Sequence, residues 1–220
     1  MPRAVLFDID GTLVTFKFDV EGTRRALIGE LAKRGFDASR LTLASPTQEI
    51  INEARKQLDR AGRVAEFDGL RRRLHAILDR FEVESSREAV VFPGTRKVLI
   101  GLRDNSIRLG VLTNAGKKAA FSVLRRGKLL DCFEFVLTRE DVASMKPSPE
   151  GIVLAVRRFG LPRRDVFYVG DGVFDIIAAK SARVKVVSVA TGLYDVQRLR
   201  QEGSDAVIGS LSELPRAIGL

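Results

Sequence analysis

The chain of 220 residues has one cysteine, Cys132, and no tryptophan. A lone cysteine forms no intrachain disulfide, so packing alone must hold the fold, as expected in a reducing compartment. Cys132 itself reads as a small buried apolar residue. Histidine is equally scarce: His75 is the only one, so no histidine pair exists. It falls inside a helical pattern and reads as packing or surface. No apolar run approaches the roughly 20 residues of a membrane span. The first residues lead straight into a strand-like run without a signal-peptide pattern. Long Lys/Arg tails, internal repeats and low-complexity segments are also missing. A cytoplasmic protein with no membrane partner is the expectation.

What is present is 45% hydrophobic and 30% charged, with a net charge of +9. That length and composition allow one sizeable core and a smaller accessory domain. The positive charge raises nucleic acid as a partner. However, bases are interleaved with acids, as where Arg71-Arg72-Arg73 follows Glu66 and Asp68, and tyrosine is rare and tryptophan absent. A basic surface that attracts small anionic substrates is the preferred reading, with nucleic acid as the alternative.

The stretch that organises the chain is Ala4-Val5-Leu6-Phe7-Asp8-Ile9-Asp10-Gly11-Thr12. Ala4 to Phe7 reads as a short buried strand. It ends in two carboxylates one residue apart. Residues i and i+2 of an extended chain share a side, so Asp8 and Asp10 can face one space. Like charges that close need a cation or a proton between them. Gly11 permits a sharp turn and close approach of backbone to a ligand. The arrangement suits a metal-assisted site in which one carboxylate attacks and the other moves a proton. Asp-x-Asp-Gly is equally a turn signature. A calcium loop of the EF-hand kind is excluded by Leu13, Val14, Thr15 and Phe16, which supply no ligands.

After Thr12 the period becomes helical. Val20 to Gly35, a segment with Ile50, Ile51, Ala54 and Leu58, and a segment from Phe67 to Phe81 read as three amphipathic helices. Ser45-Pro46 is expected to open the second, with Pro at its first position. Residues 15–90 carry no strand signal and look like an insertion. After Phe92-Pro93-Gly94, strands and helices alternate. Strands are expected at Arg108–Leu112, Phe133–Leu137, Val166–Val169, Val184–Val189 and Ala206–Ile208. Helices are expected around Val98–Leu102, at Ala119–Leu130, from Ser148-Pro149 to Gly160, at Ile176–Ala182 and at Val196–Gln201, with one more at the end. Alternation of this kind implies a Rossmann-like α/β core, a parallel sheet with helices on both faces. A small all-helical cap is inserted after the first strand. The expected domains are residues 1–14 with 91–220, and the cap at 15–90.

Ligands of such sheets sit beyond the carboxyl ends of the strands. Polar residues at those ends are Asp8 and Asp10, Thr113 and Asn114, and Asp171 with Asp175 four residues on. The carboxylates form a set of hard oxygen ligands that suits Mg²⁺. Thr113 and Asn114 can bind phosphate oxygens or cap the next helix. Lys146 lies in the stiff run Lys146-Pro147-Ser148-Pro149, where it is either a fixed ammonium or an ordinary exposed lysine.

The order and content of these four pieces resemble the haloacid dehalogenase superfamily of hydrolases. Asp8-Ile9-Asp10-Gly11-Thr12 matches its first motif, Thr113-Asn114 its second, Lys146 its third, and Gly170-Asp171 through Asp175 its fourth. The insertion after the first motif resembles the C1-type cap of phosphoglycolate phosphatase-like members. The resemblance implies a Mg²⁺-dependent phosphatase acting on a small phosphorylated substrate, such as phosphoglycolate, a sugar phosphate or a nucleotide monophosphate. It implies Asp8 as nucleophile, Asp10 as acid and base, and Lys146 as the charge-offsetting cation. It implies Thr113, Asn114, Lys146 and Gly11 around the phosphate. It implies Asp8, Asp10 through its carbonyl and Asp171 at the metal, with Asp175 as a further ligand or an outer-shell partner. Asp10 argues against a dehalogenase, because a leaving halide needs no proton. A phosphomutase is the alternative within the superfamily, and a polynucleotide-end phosphatase the alternative suggested by charge. The family leaves monomer and homodimer both open. Phe16, Lys17, Phe18 and Asp19 are candidate hinge residues. Arg24, Arg25 and the loop Asp37 to Thr47 are candidate leaving-group contacts. Arg183 stands where relatives often have a turn glycine.

Overall fold

The computed structural model describes every residue except Phe16. Phe16, a candidate hinge residue, therefore lies outside the described residues. Two compact units result, Met1–Phe16 with Glu88–Leu220, and Lys17–Arg87.

The larger unit is built on one sheet of six parallel strands. They are β1 (Ala4–Phe7), β2 (Arg108–Leu112), β3 (Phe135–Leu137), β4 (Val166–Gly170), β5 (Lys185–Val189) and β6 (Ala206–Ile208). Their order is β3-β2-β1-β4-β5-β6. β1 is central, and all four of its residues are fully buried. Alternate side chains explain why: Val5 and Phe7 enter one hydrophobic cluster, Ala4 and Leu6 the other. The first cluster is closed by α4 (Thr95–Asp104), α5 (Lys117–Arg126) and α9 (Leu214–Ala217). The second is closed by α6 (Glu150–Phe159), α7 (Val173–Ser181) and α8 (Val196–Gln201). A strand buried on both faces must be apolar throughout, which is why Ala4–Phe7 shows no polar alternation.

The smaller unit holds α1 (Val20–Lys33), α2 (Thr47–Arg60) and most of α3 (Phe67–Glu88). Asp19 caps α1 by accepting the Gly22 N–H at 2.8 Å. Leu27, Leu31, Ile50, Ala54, Leu58, Leu74 and Leu78 fill its interior at helical spacing. Its loop is tied down locally. Arg24 donates to the Leu43 carbonyl at 2.7 Å, and the Gln57 amide bonds both backbone groups of Asp37.

The two crossings between units run side by side within the larger one. The Thr15 N–H donates to the Val90 carbonyl at 2.8 Å, and Phe92 N–H to the Leu13 carbonyl at 3.1 Å. Val14 and Val91 pair as an antiparallel bridge.

Several elements differ from the sequence expectation. The helix expected at Ala119–Leu130 stops at Arg126, because Lys128 takes φ +53° and Leu129 N–H turns back to the Leu124 carbonyl. This is the left-handed cap that glycine usually supplies. Ser106 (φ +60°) ends α4 and Arg183 (φ +57°) ends α7 in the same way. Leu129 and Leu130 continue the apolar spacing but serve the core from a loop. Strand β3 starts at Phe135 rather than Phe133, and β5 at Lys185 rather than Val184. The third cap helix runs on from Phe81 to Glu88. Pro46 and Pro149 stand at the N-caps of α2 and α6, one position ahead of the expected first turn.

Candidate active site

After β1 the chain passes through β2 and β3 on one side, then returns to place β4 against β1. The reversal opens a crevice at the carboxyl ends of β1 and β4. Asp8 follows β1 and Asp171 follows β4. Asp8 is anchored by its own N–H, which donates to the Val169 carbonyl at 2.9 Å. Ile9 then starts a tight turn in which Leu13 N–H returns to the Ile9 carbonyl and Gly11 takes φ +75°.

Asp8, Asp171 and Asp175 offer carboxylate oxygens that all lie within 4.8 Å of one another. Lys146 joins two of them. Its Nζ is 2.8 Å from Asp8 Oδ1 and 2.7 Å from Asp175 Oδ1, and all three side chains are buried. Lys146 is thus a fixed ammonium, not an ordinary exposed lysine. Among the described residues no cation pairs with Asp171, and Thr12 Oγ1 at 3.4 Å is its hydrogen-bond donor. Three carboxylates, all ionised, against one ammonium would place two excess negative charges in a desolvated space. Burial pushes the Asp171 carboxyl up to about 8, with the Asp175 and Asp8 charges adding to it. Burial likewise raises Asp8, but the attraction of Lys146 holds that rise to about 6. Burial alone would lower the Lys146 ammonium, and the charges of Asp175 and Asp8 outweigh it, so its proton is held more tightly than usual.

The donor chemistry fits a hard divalent cation. All candidate ligands are oxygens, and the excess of two negative charges is what one such ion balances. The backbone is shaped around Asp171 as well. A Cβ on Gly192 would lie 1.7 Å from Asp171 Oδ2, and one on Gly11 2.3 Å from the same atom. Asp8 and Asp171 accept fewer hydrogen bonds than Asp175 and so keep more lone pairs for an ion. Asp175 has less capacity left. Its Oδ1 accepts from Lys146 and from the Tyr168 hydroxyl at 2.8 Å, and its Oδ2 accepts the Gly172 N–H at 3.0 Å at the start of α7. The side chain of Asp10 stands outside the acidic group. It is half-buried, and its backbone bridges to Val14.

The remaining sequence candidates converge on the same end of the sheet. Thr113 follows β2, is buried, and accepts the Ala115 N–H at 3.0 Å. The Asn114 amide is spent on Lys146: Nδ2 donates to the Lys146 carbonyl at 3.0 Å and Oδ1 accepts its N–H at 2.9 Å. Glu150 accepts the N–H groups of Ala143 and Ser144, which fixes the loop ahead of Lys146. Two contributors were not anticipated. Tyr168 lies inside an apolar strand, yet its hydroxyl reaches Lys146 Nζ at 2.9 Å. Thr191, after β5, donates to the Gly11 carbonyl at 2.5 Å, beside Gly192. The rule that polar residues follow strands would have found Thr191-Gly192. No local pattern marks Tyr168.

Comparison with known proteins identifies the family. Residues 2–183 match the family model described as haloacid dehalogenase-like hydrolase. The chain is similar to a phosphoglycolate phosphatase of Nitrosospira multiformis, at 28% identity over 98% of this chain and 95% of that one. It is also similar to one of Photorhabdus laumondii, at 28% over 99% and 93%. Among solved structures it resembles a hydrolase from Pseudomonas syringae (TM-score 0.67, 22% identity, 98% and 97% covered). It also resembles an L-2-haloacid dehalogenase from Xanthobacter autotrophicus (TM-score 0.60, 20% identity, 99% and 98% covered). These two share its fold. With the family model spanning most of the chain and the acid cluster at the switch point, the protein belongs to the haloacid dehalogenase-like hydrolases.

Proposed function

We propose that this hydrolase is a Mg²⁺-dependent phosphatase of a small phosphorylated metabolite, with phosphoglycolate as the first candidate. The observation that carries the reading is the buried Asp8 held 2.8 Å from Lys146, with the cation-free Asp171 beside it. The substrate named by relatives matched along nearly the whole chain supports phosphoglycolate.

In this reading Asp8 attacks phosphorus in line, its carboxylate forming a bond as the bond to the leaving oxygen breaks. Lys146 offsets the repulsion between the two anions. Asp10 gives its proton to the leaving oxygen, then takes one from the water that cleaves the aspartyl-phosphate. Backbone N–H groups of Ile9 and Asp10 and the Thr113 hydroxyl accommodate the phosphoryl oxygens, while the Gly11 N–H is taken by the Val14 carbonyl. Mg²⁺ would be held by Asp8, Asp171 and the Asp10 carbonyl, and supplies neutralising charge. Asp175 supports Lys146 and the start of α7 instead of filling a metal position. Asp10 favours phosphoryl transfer over dehalogenation, since a halide leaves without a proton.

The test is phosphate release over a panel of phosphorylated metabolites with Mg²⁺, run beside Asp8→Asn. Strong preference for one compound, lost by about three orders of magnitude or more in the variant, is expected. Turnover unchanged in Asp8→Asn removes the mechanism.

A further inference from the structure

An ammonium has three N–H donors. Those of Lys146 have three acceptors within reach: Asp8 Oδ1 at 2.8 Å, Asp175 Oδ1 at 2.7 Å and the Tyr168 hydroxyl at 2.9 Å. Two of these acceptors are charged and would be present in any arrangement of the acid cluster. The third is neutral and comes from the sheet itself. Tyr168 is fully buried on β4, on the face opposite Val169, and directly beside Leu6 of β1. Its hydroxyl carries one proton. Asp175 Oδ1 at 2.8 Å is its nearest acceptor, and the Leu112 carbonyl lies farther off at 3.4 Å. Donating to Asp175 leaves an oxygen lone pair for Lys146, so the donors and acceptors match without conflict.

The other end of Lys146 is held separately. Its peptide N–H and carbonyl are both taken by the Asn114 amide. The backbone is therefore fixed from β2 and the ammonium from β4, with a flexible four-carbon stem between them. Such a stem has substantial rotamer freedom to lose. Two carboxylates alone define a line along which an ammonium can slide or swing. A third contact off that line fixes its position.

We propose that Tyr168 is a positioning residue of this site, whose buried hydroxyl locks the Lys146 ammonium onto Asp8. The proposal rests on the reading of Asp8 as nucleophile and Lys146 as its cation. Tyr168 touches no reacting atom and acts through Lys146.

The test is Tyr168→Phe in the full chain, which keeps the ring in the core and deletes one oxygen. Loss of a hydrogen bond to a buried charge predicts a kcat for phosphate release about ten- to a hundredfold lower. KM should stay within about twofold, because the substrate is not touched. Thermal melting reports whether the fold is kept. A second readout is independent of turnover. In wild type, nitrogen-15 NMR of lysine side chains should show a slowly exchanging ammonium signal that disappears in Lys146→Arg. In Tyr168→Phe that signal should exchange markedly faster. A kcat within twofold of wild type overturns the proposal, and so does an ammonium signal that stays as protected as before. If wild type releases phosphate from no compound, the phosphatase reading fails by itself. The ammonium signal then decides the role of Tyr168 alone.

Discussion

On the proposed reading, Mg²⁺ binding must release protons, and the number released can be stated. Asp171 is raised from an ordinary 3.8 to about 8, and Asp8 to about 6. Without metal at pH 7, the folded protein then holds about nine-tenths of a proton on Asp171 and little on Asp8. An ion that takes Asp171 as a ligand must displace that proton. Affinity for Mg²⁺ should therefore rise about tenfold per pH unit between pH 6 and 8 and level off above 8. Below pH 6, where Asp8 is protonated too, the rise should steepen toward a hundredfold per unit. The stability of the metal-free protein must run the other way. The unfolded chain ionises both acids near 3.8, whereas the fold keeps them protonated to about 8 and 6. Between those limits the folded state binds more protons, so stability is fullest below pH 4 and falls as pH rises. Each retained proton corresponds to about 1.4 kcal/mol per pH unit, with the coupled acids titrating as a set. Calorimetry of Mg²⁺ binding at pH 7, in two buffers of different ionisation enthalpy, counts the protons directly. Release near one, abolished in Asp171→Asn, is expected. Zero release, or an affinity flat from pH 6 to 8, refutes the argument.

Further perturbations follow from the same geometry. Lys146→Met strands Asp8 and Asp175 without their shared cation and should cost about 3–5 kcal/mol in urea unfolding at neutral pH; a loss under 1 kcal/mol would mean the pair is not held as described. Gly192→Ala puts a Cβ against Asp171 at a residue whose φ is not left-handed, so the fold should melt normally while Mg²⁺ affinity drops about tenfold or more. An affinity equal to wild type would show that the Asp171 carboxylate has slack. Ser106→Gly, Lys128→Gly and Arg183→Gly each relieve a left-handed residue at a helix end and should add about 0.5–1 kcal/mol; no gain at any of the three in urea unfolding contradicts the backbone assignment.

The sheet and the acid cluster were readable because both rest on local rules. Ala4–Phe7 is apolar on every side because both of its faces are covered, and Asp8 and Asp171 follow strands whose ends face the switch point. Contacts between distant residues were not readable. The engagement of the Asn114 amide by a peptide 32 positions away has no local signal. Tyr168 lies within an apolar strand, and nothing local sets its hydroxyl apart from the core. The early end of α5 is signalled by Gly127 at its C-cap, but the apolar spacing continues through Leu129 and Leu130 and masks that signal. The placement of Asp10 relative to Asp8 was not legible from strand alternation either, because the chain turns after Ile9.

The paired crossings at residues 13–15 and 90–92 bear on how this architecture can change. The chain leaves the larger unit and re-enters it through a single doorway about one strand spacing wide. Any insert whose own ends lie that close can be spliced there without shifting the register of β1 against β2 or β4. The sheet and its acids can thus stay fixed while the inserted segment is lengthened, replaced or trimmed to a short turn. Recombination at this doorway would exchange whole modules, and the two parts of the chain are free to diverge at different rates.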